Sequence, residues 1–480
     1  DRTMERFTGP DASFLYMETP NVHMHTLKIA VIDLPFEVPY TEVFDMVRLA
    51  MEQRLHLVPR LRLRPVEVPG GLHHPMWLKD SHFNLGRHLF RARIADPGGQ
   101  REMDQAIAEI ASLQLPRDRP LWETWLLEGL ADGGIVLVTK IHHSLADGVA
   151  SATMLGKVMD LSPDEDDGGA SLPPWVPESV PPRKELVAAA VQDQEAHSGR
   201  MWPLLKRTTR GGITVLKNLR HRAVDLPAPF SAPRTVFNRT LSADRSFATA
   251  SLPVAELKAV KNAARVTLND VILATVAGAL LRFFDERGEP PSKPLVASVP
   301  MSVATPGAAP REAGNRVTGL MTSLCTDIAD PRARLQAIHE VTKQAKEVQQ
   351  QLGEETALEW SEAAPAALYR WALGLYSQSG FADYLPPPAN VIVSNVRGPD
   401  HPLFVAGARL RNLYSVGPLV QGIGLNITGW SYCGELSLSL IADGQTVREP
   451  HAITDALRPA LDELMEATGV TVEKRQESRT

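Results

Sequence analysis

His142 and His143 stand side by side ahead of Ser144-Leu145-Ala146-Asp147-Gly148, and imidazole is the side chain whose proton affinity lies nearest ordinary working pH. One well-placed histidine can take the proton of an incoming hydroxyl and return it to a departing thiolate, the two transfers that esterification from a thioester requires. The run Ile135 to Ile141 is a strand candidate that delivers the pair at its carboxyl end, before a turn through Asp147-Gly148. Successive strand side chains point to opposite faces, so the two rings cannot share one task, and a metal held by both is geometrically awkward. No Gly-x-Ser-x-Gly elbow occurs. Ser144 directly follows the histidines instead of sitting where a separate base could activate it, which favours direct attack of the hydroxyl over a covalent serine intermediate.

The surrounding pattern is mixed α and β. Strand-like runs are predicted at Thr26 to Val31, Arg91 to Ile94, Gly134 to Ile141, Arg245 to Ser251, Leu295 to Val299 and Asn390 to Val396. Gly434 to Leu440 alternates strictly, with Leu436, Leu438 and Leu440 on one side and Ser437 and Ser439 on the other, as in a half-buried strand. Helical periodicity is predicted over Thr41 to Gln53, Arg101 to Leu113, Val149 to Leu161, Val254 to Ala264, Leu268 to Asp285, Asp330 to Gln351 and His451 to Ala467.

A length of 480 residues favours more than one core. The composition shift from Ser162 to Pro233, rich in proline and acidic residues, reads as a long connection between an N-terminal lobe (1–161) and a C-terminal lobe (234–470), with a tail at 471–480. Within it, Arg200, Lys206, Arg207, Arg210, Lys217, Arg220 and Arg222 alternate with Trp202, Leu204, Leu205 and Leu216. Such a stretch suits either a solvated surface helix or attachment to an anionic membrane or droplet surface, although Gly211-Gly212 would break a single long helix.

The composition, 44% hydrophobic and 22% charged, is that of a folded protein without a membrane-spanning run. A net charge of −6 gives no overall basic field for nucleic acid. Cys325 and Cys433 are far apart, without metal-ligand spacing, so a reducing, cytoplasmic setting is expected. No signal-peptide pattern is visible at Asp1-Arg2-Thr3-Met4-Glu5.

His-His-x-x-x-Asp-Gly resembles the signature of the coenzyme A-dependent acyltransferase superfamily. Further segments resemble, in order, the bacterial wax ester synthase/acyl-CoA:diacylglycerol acyltransferase family. They are Gly9-Pro10-Asp11-Ala12-Ser13-Phe14-Leu15, Pro120-Leu121-Trp122, Asn269-Asp270, Pro300-Met301-Ser302-Val303, Gly314-Asn315-Arg316-Val317, Ser394-Asn395-Val396-Arg397-Gly398-Pro399, and Leu425-Asn426-Ile427 with Ser431-Tyr432. Two departures occur: Ala304 replaces an arginine of the family's pattern, and Arg397 fills a variable position.

The resemblance implies an α/β fold of two chloramphenicol-acetyltransferase-like lobes, mixed sheets flanked by helices, with a tunnel between them. Acyl-CoA would supply the acyl group, no other cofactor or metal being implied, and diacylglycerol or a long-chain fatty alcohol would accept it at a membrane or droplet surface. His143 inherits the role of base, His142 a supporting one, and Asp147 a structural one, paired with an arginine. Asn269 is a candidate oxyanion donor or positioning residue, although Thr267 to Asp270 could equally cap the following helix. Gly148, Trp122, Asp270, Ser394, Asn395 and Arg397 are candidate substrate contacts. Trp122 could instead fill core, and a Gly-Pro turn after a buried strand needs no substrate. Two other classes carry the same histidine signature or fold: a carrier-protein-dependent condensation-type enzyme and a non-catalytic droplet protein.

Overall fold

A computed structural model describes residues 5–34, 39–147, 179–198, 203–206, 208–209, 226–228, 230–302, 317–352, 356–378, 380–405 and 407–471, with Ala150, Met154 and Lys157. Gly148, most of the expected 149–161 helix and 162–233 connection, Val303, Ala304, Gly314-Asn315-Arg316 and 472–480 lie outside them. The strands in chain order are β1 (Glu5–Arg6), β2 (His25–Asp33), β3 (Leu63–Val66), β4 (Met76–Lys79), β5 (Leu89–Arg93), β6 (Trp122–Glu128), β7 (Ile135–His142), β8 (Arg245–Pro253), β9 (Val296–Ser302), β10 (Val317–Ser323), β11 (Val391–Arg397), β12 (Phe404–Val405), β13 (Ala408–Val416), β14 (Leu425–Tyr432) and β15 (Glu435–Asp443).

Two six-stranded sheets organise them: β12-β13-β2-β7-β6-β5 and β10-β9-β11-β14-β15-β8. The first is antiparallel except for the β5/β6 pair, and in the second β11 runs parallel to both neighbours. The central strands of the first sheet are apolar because helices cover both of its faces. Met103, Ile107, Ala108 and Ala111 of helix Gln100–Ser112 pack on Leu27, Ile29, Val136 and Val138, while Val43 and Val47 of helix Tyr40–Arg54 meet Ala30, Ile32 and Leu126 on the other side.

The second sheet is backed by helix Leu268–Arg287, capped at its N-terminus by the Thr267/Asp270 box and at its C-terminus by left-handed Gly288. Its sequence is apolar on nearly every side because helices Val254–Ala264, Pro331–Leu352 and Leu457–Thr468 enclose it. A Cβ at Gly278 would lie 2.9 Å from that of Ala460, so only glycine permits this approach. Among the described residues no single helix is long and apolar enough to cross a membrane. Cys325 is buried, Cys433 exposed, and both are free thiols.

Three expectations change. First, strands β12 and β13, from the second half of the chain, extend the first sheet, with Leu413 paired to Ala30 and Val416 to Leu27. The lobes are therefore interleaved in sequence and do not divide at residue 234. Second, β15 is not half-buried: Ser437 is 1% exposed and Ser439 0%, because β15 packs against β13 of the other sheet. The alternation reported two different neighbours, not core and solvent. Third, the expected 451–467 helix breaks into His451–Thr454 and Leu457–Thr468.

The sheets are joined by a buried carboxylate. Asp104, 0% exposed on helix Gln100–Ser112, accepts from the Thr249 backbone N–H at 3.1 Å, the Thr249 hydroxyl at 3.0 Å, His451 at 2.9 Å and Gln100 at 3.0 Å. Asp104→Ala would leave buried donors on the opposite lobe without an acceptor, and is expected to lower unfolding free energy by about 3 kcal/mol. Urea unfolding checks this, with exposed Gln105→Ala as the near-neutral control.

Candidate active site

β7 ends at His142, held in register by the pairing of His142 with His25 on β2. The chain then turns, with the His143 N–H donating to Met24 O at 2.7 Å and the Leu145 N–H to His142 O at 3.0 Å. His142 is 0% exposed. Its Nδ1 lies 3.2 Å from the Ser144 backbone nitrogen and 2.8 Å from Ser144 Oγ. A backbone N–H can only donate, so Nδ1 accepts, and Nε2 carries the proton that it donates to Glu18 Oε2 at 3.0 Å. Both nitrogens of this ring are therefore committed to partners within the protein.

Glu18 is the partner that the sequence did not reveal. It follows helix Gly9–Met17 as its C-cap residue, 124 positions before His142, and no local spacing connects the two. Burial opposes ionisation of its carboxyl, but the His142 ring and the Arg117 guanidinium, 2.9 Å away, reverse this and hold it well below the ordinary carboxylate range. Arg117 also donates to Leu15 O at 2.9 Å, tying the carboxylate back to the helix that carries Phe14. The Phe14 ring stacks on His143 at 4.1 Å between centroids and 21° between planes. His143 itself is half-buried at the turn, away from the sealed position of His142.

Ser144 departs from expectation: His142 does reach its hydroxyl, and Ser144-His142-Glu18 places the atoms of a relay in line. Ser144 is nevertheless 1% exposed, which leaves its oxygen no approach for an acyl carbonyl.

Asp147 is 1% exposed and its Oδ1 accepts the Ala150 N–H at 2.9 Å, a helix-starting contact consistent with a structural role. Lys28 of β2, 4% exposed, is a cation that the Asp147 carboxylate favours electrostatically. Lys28 Nζ donates to Ser415 Oγ of β13 at 2.6 Å and lies 4.8 Å from the Trp430 ring of β14. Burial pulls its amine down to about 7, with Asp147 opposing the shift. A lone lysine inside His-Thr-Leu-Lys-Ile-Ala-Val-Ile was the available signal for it.

Lys28 also lines an apolar cavity of about 120 Å³, partly open to solvent. Ala30 of β2, Trp122 of β6, Leu137 and Ile141 of β7 and Leu413 of β13 form its floor, and Met51 and Leu55 cover it. Trp122 thus both lines the cavity and is anchored, donating from Nε1 to Leu61 O at 2.7 Å and stacking on His88 at 4.5 Å. Ile141 lies two residues before His143, so the cavity approaches the histidine turn along one strand.

The remaining candidates lie elsewhere on the frame. Asp270, 1% exposed, accepts from the Thr267 N–H at 2.9 Å, the Thr267 hydroxyl at 2.7 Å and His339 at 2.7 Å. Its carboxylate caps the helix, the alternative that the Thr267 to Asp270 run also offered. Asn269 is half-buried on that first turn. Ser394 donates to Thr428 Oγ1 at 3.2 Å, joining β11 to β14, and Asn395 is exposed. Arg397 points outward, its side chain 86% exposed beside Asp400. The Gly398 turn has its own reason: a Cβ there would lie 2.2 Å from both Ser431 O and Trp430 Nε1.

Two variants test this electrostatic frame. Glu18→Gln should lose activity and thermal stability together, because it removes the charged acceptor from the buried His142 ring and from Arg117. Lys28→Met tests the buried amine by thermal melts across pH. With a folded pKa near 7 below the unfolded value of about 10.4, the unfolded chain binds more protons between these limits, so parent stability from this group rises with pH. The parent should gain stability relative to Lys28→Met from pH 7 to 10; a constant difference would contradict the assignment.

The wax ester synthase/diacylglycerol acyltransferase catalytic-domain model matches residues 7–272, and the C-terminal-domain model of the same family matches 313–465. A Mycobacterium tuberculosis protein named provisionally as a diacylglycerol O-acyltransferase is 41% identical over 474 residues, covering 98% of each chain. A second from that organism, named in the same way, is 36% identical over 468 residues, 97% of this chain and 98% of the relative. The solved wax ester synthase/diacylglycerol acyltransferase of Marinobacter aquaeolei VT8 superposes with a TM-score of 0.67 at 28% identity, covering 97% of this chain and 100% of that one. The first condensation domain of the CDA synthetase shares the fold, with a TM-score of 0.57 at 13% identity over 97% of both chains. The two-lobed architecture and the matches across nearly the whole chain lead to one conclusion: the protein belongs to the wax ester synthase/diacylglycerol acyltransferase family and is an acyltransferase.

Proposed function

We propose that the chain transfers an acyl group from acyl-CoA to diacylglycerol, a long-chain fatty alcohol, or both, with His143 as general base. The observation that carries this reading is the division between the two histidines. His142 is sealed with both nitrogens engaged, while its neighbour stands half-buried at the turn, oriented by Phe14. The acceptor oxygen attacks the thioester carbonyl as the imidazole of His143 takes the hydroxyl proton. The tetrahedral intermediate then collapses, the C–S bond breaks, and the same proton passes to the departing thiolate of coenzyme A. The apolar cavity supports a long acyl or alkyl chain, since its walls are mainly aliphatic and aromatic carbon. Asn269 remains the candidate oxyanion donor in this scheme. Acceptors of this kind reside in lipid, so the protein works at the cytoplasmic face of a membrane or on droplets.

His143→Ala is expected to lower kcat by about 10² to 10⁴ while the melting temperature stays near that of the parent. The assay is thiol release from palmitoyl-CoA with diacylglycerol, hexadecanol or no acceptor, the lipid products being identified. Parent-like turnover by the variant would remove His143 from the mechanism. No release by the parent with either alcohol would count against an acyl-CoA donor.

A further inference from the structure

Four strands of the first sheet place polar side chains in one row beneath helix Tyr40–Arg54. Ser415 of β13 pairs with Lys28 of β2, Lys28 with Thr139 of β7, and Thr139 with Thr124 of β6. Residues paired directly across antiparallel strands project to the same side of a sheet. Lys28, Thr139 and Thr124 all line the apolar cavity. Apart from Arg54 at the end of the covering helix, every other side chain that lines it is aliphatic, aromatic or methionine. One lysine and two threonines therefore form a polar band on a wall otherwise suited to hydrocarbon.

The band holds more donors than the described residues satisfy. A charged lysine has three N–H donors and no acceptor. The Lys28 amine donates to Ser415 Oγ at 2.6 Å and rests over the Trp430 ring at 4.8 Å, with no second hydrogen-bond acceptor among the described residues. The Thr124 and Thr139 hydroxyls bond each other at 3.1 Å; whichever of them donates, the other still has its own hydrogen to give. Buried donors of this kind require an acceptor, and the space before them is the cavity. Asp147 already favours the charge of Lys28, so an uncharged oxygen matches the band better than a second carboxylate.

We propose that Lys28, Thr139 and Thr124 form a specificity subsite for a mid-chain oxygen, a hydroxyl or keto group, on the long chain that occupies this cavity. Its effect on turnover rests on the proposed acyl transfer; binding at the subsite does not. Thr139 precedes His143 by four residues, roughly 13 Å at the rise of a strand. A chain whose reacting end lies at the histidine turn thus meets the band well along its length, away from the thioester and the attacking hydroxyl. A plain hydrocarbon chain fills the same space but leaves the donors unmatched, which is the basis of the discrimination.

The test compares oleyl alcohol with ricinoleyl alcohol, which differ in one mid-chain hydroxyl. Binding to the full chain is followed by tryptophan fluorescence, since Trp122 lines the cavity and Trp430 meets Lys28. The parent should bind the hydroxylated alcohol about tenfold more tightly, as expected of a hydrogen bond to a charged donor. Lys28→Met should bring that ratio close to unity, and the nearly isosteric Thr139→Val should lower it severalfold. The ratio within each variant separates recognition from a general loss of stability, and Thr139→Val decides alone if Lys28→Met fails to fold. Equal binding of the two alcohols by the parent, or a ratio that both substitutions leave unchanged, overturns the proposal. Thiol release is then measured from ricinoleoyl-CoA and oleoyl-CoA with hexadecanol, and from palmitoyl-CoA with each of the two alcohols. The preference should reappear in kcat/KM for the donor pair or the acceptor pair, whichever chain lies in the cavity; turnover with no preference in either pair also overturns the proposal. Selective binding of ricinoleyl alcohol without thiol release from any donor would defeat the catalytic reading and leave the subsite standing.

Discussion

The arrangement depends on one buried polar contact, the hydrogen bond from His142 Nε2 to Glu18. An imidazole with no access to water cannot leave either nitrogen unmatched without loss, and the backbone of Ser144 fixes which nitrogen accepts. Glu18 is in turn neutralised by Arg117 and fixed to the end of helix Gly9–Met17. Through this contact the end of β7, the following turn and the first helix become one rigid unit. His143 is presented by that unit, with Phe14 from the same helix against its ring.

A second charge links this unit to the rest of the chain. Asp147 closes the turn onto Ala150 and favours the charge of Lys28, whose ammonium reaches Ser415 and Trp430 on strands contributed by the second half. Strand β13 completes the first sheet, and Asp104 grips Thr249 and His451. The histidine turn is thus tied to residues from both halves of the chain, and several motif residues hold that frame together. Ser394 and Asp270 are of that kind: their polar atoms are occupied by Thr428, Thr267 and His339.

Much of this was legible in the sequence. Period-two and period-3.6 patterns located β2, β7, β8 and the Leu268–Arg287 helix, because each buries a face that must be apolar. Strand parity set the two histidines in different surroundings before any contact was known, as the sealed ring of His142 and the half-buried His143 show. What was not legible depends on long-range pairing. Glu18, Arg117 and Lys28 are brought to the histidine turn by tertiary packing, and a sequence gives no distance across 124 positions. The exchange of β12 and β13 into the first sheet is hidden for the same reason, since a strand's alternation says nothing about its neighbour. The serine face of β15 shows the converse error, where a polar side was taken for a wet one.

Ser144 provides the sharpest test of the chemistry. Its hydroxyl touches His142, which touches Glu18, so an acyl-serine path has its atoms in line, whereas burial of Ser144 argues for direct attack at His143. Intact-protein mass spectrometry decides between them: the protein is incubated with palmitoyl-CoA in the absence of an alcohol, acid-quenched and weighed. Direct transfer requires the mass of the unmodified chain at every time point. A palmitoyl adduct that maps to Ser144 and disappears when the alcohol is added would contradict the account.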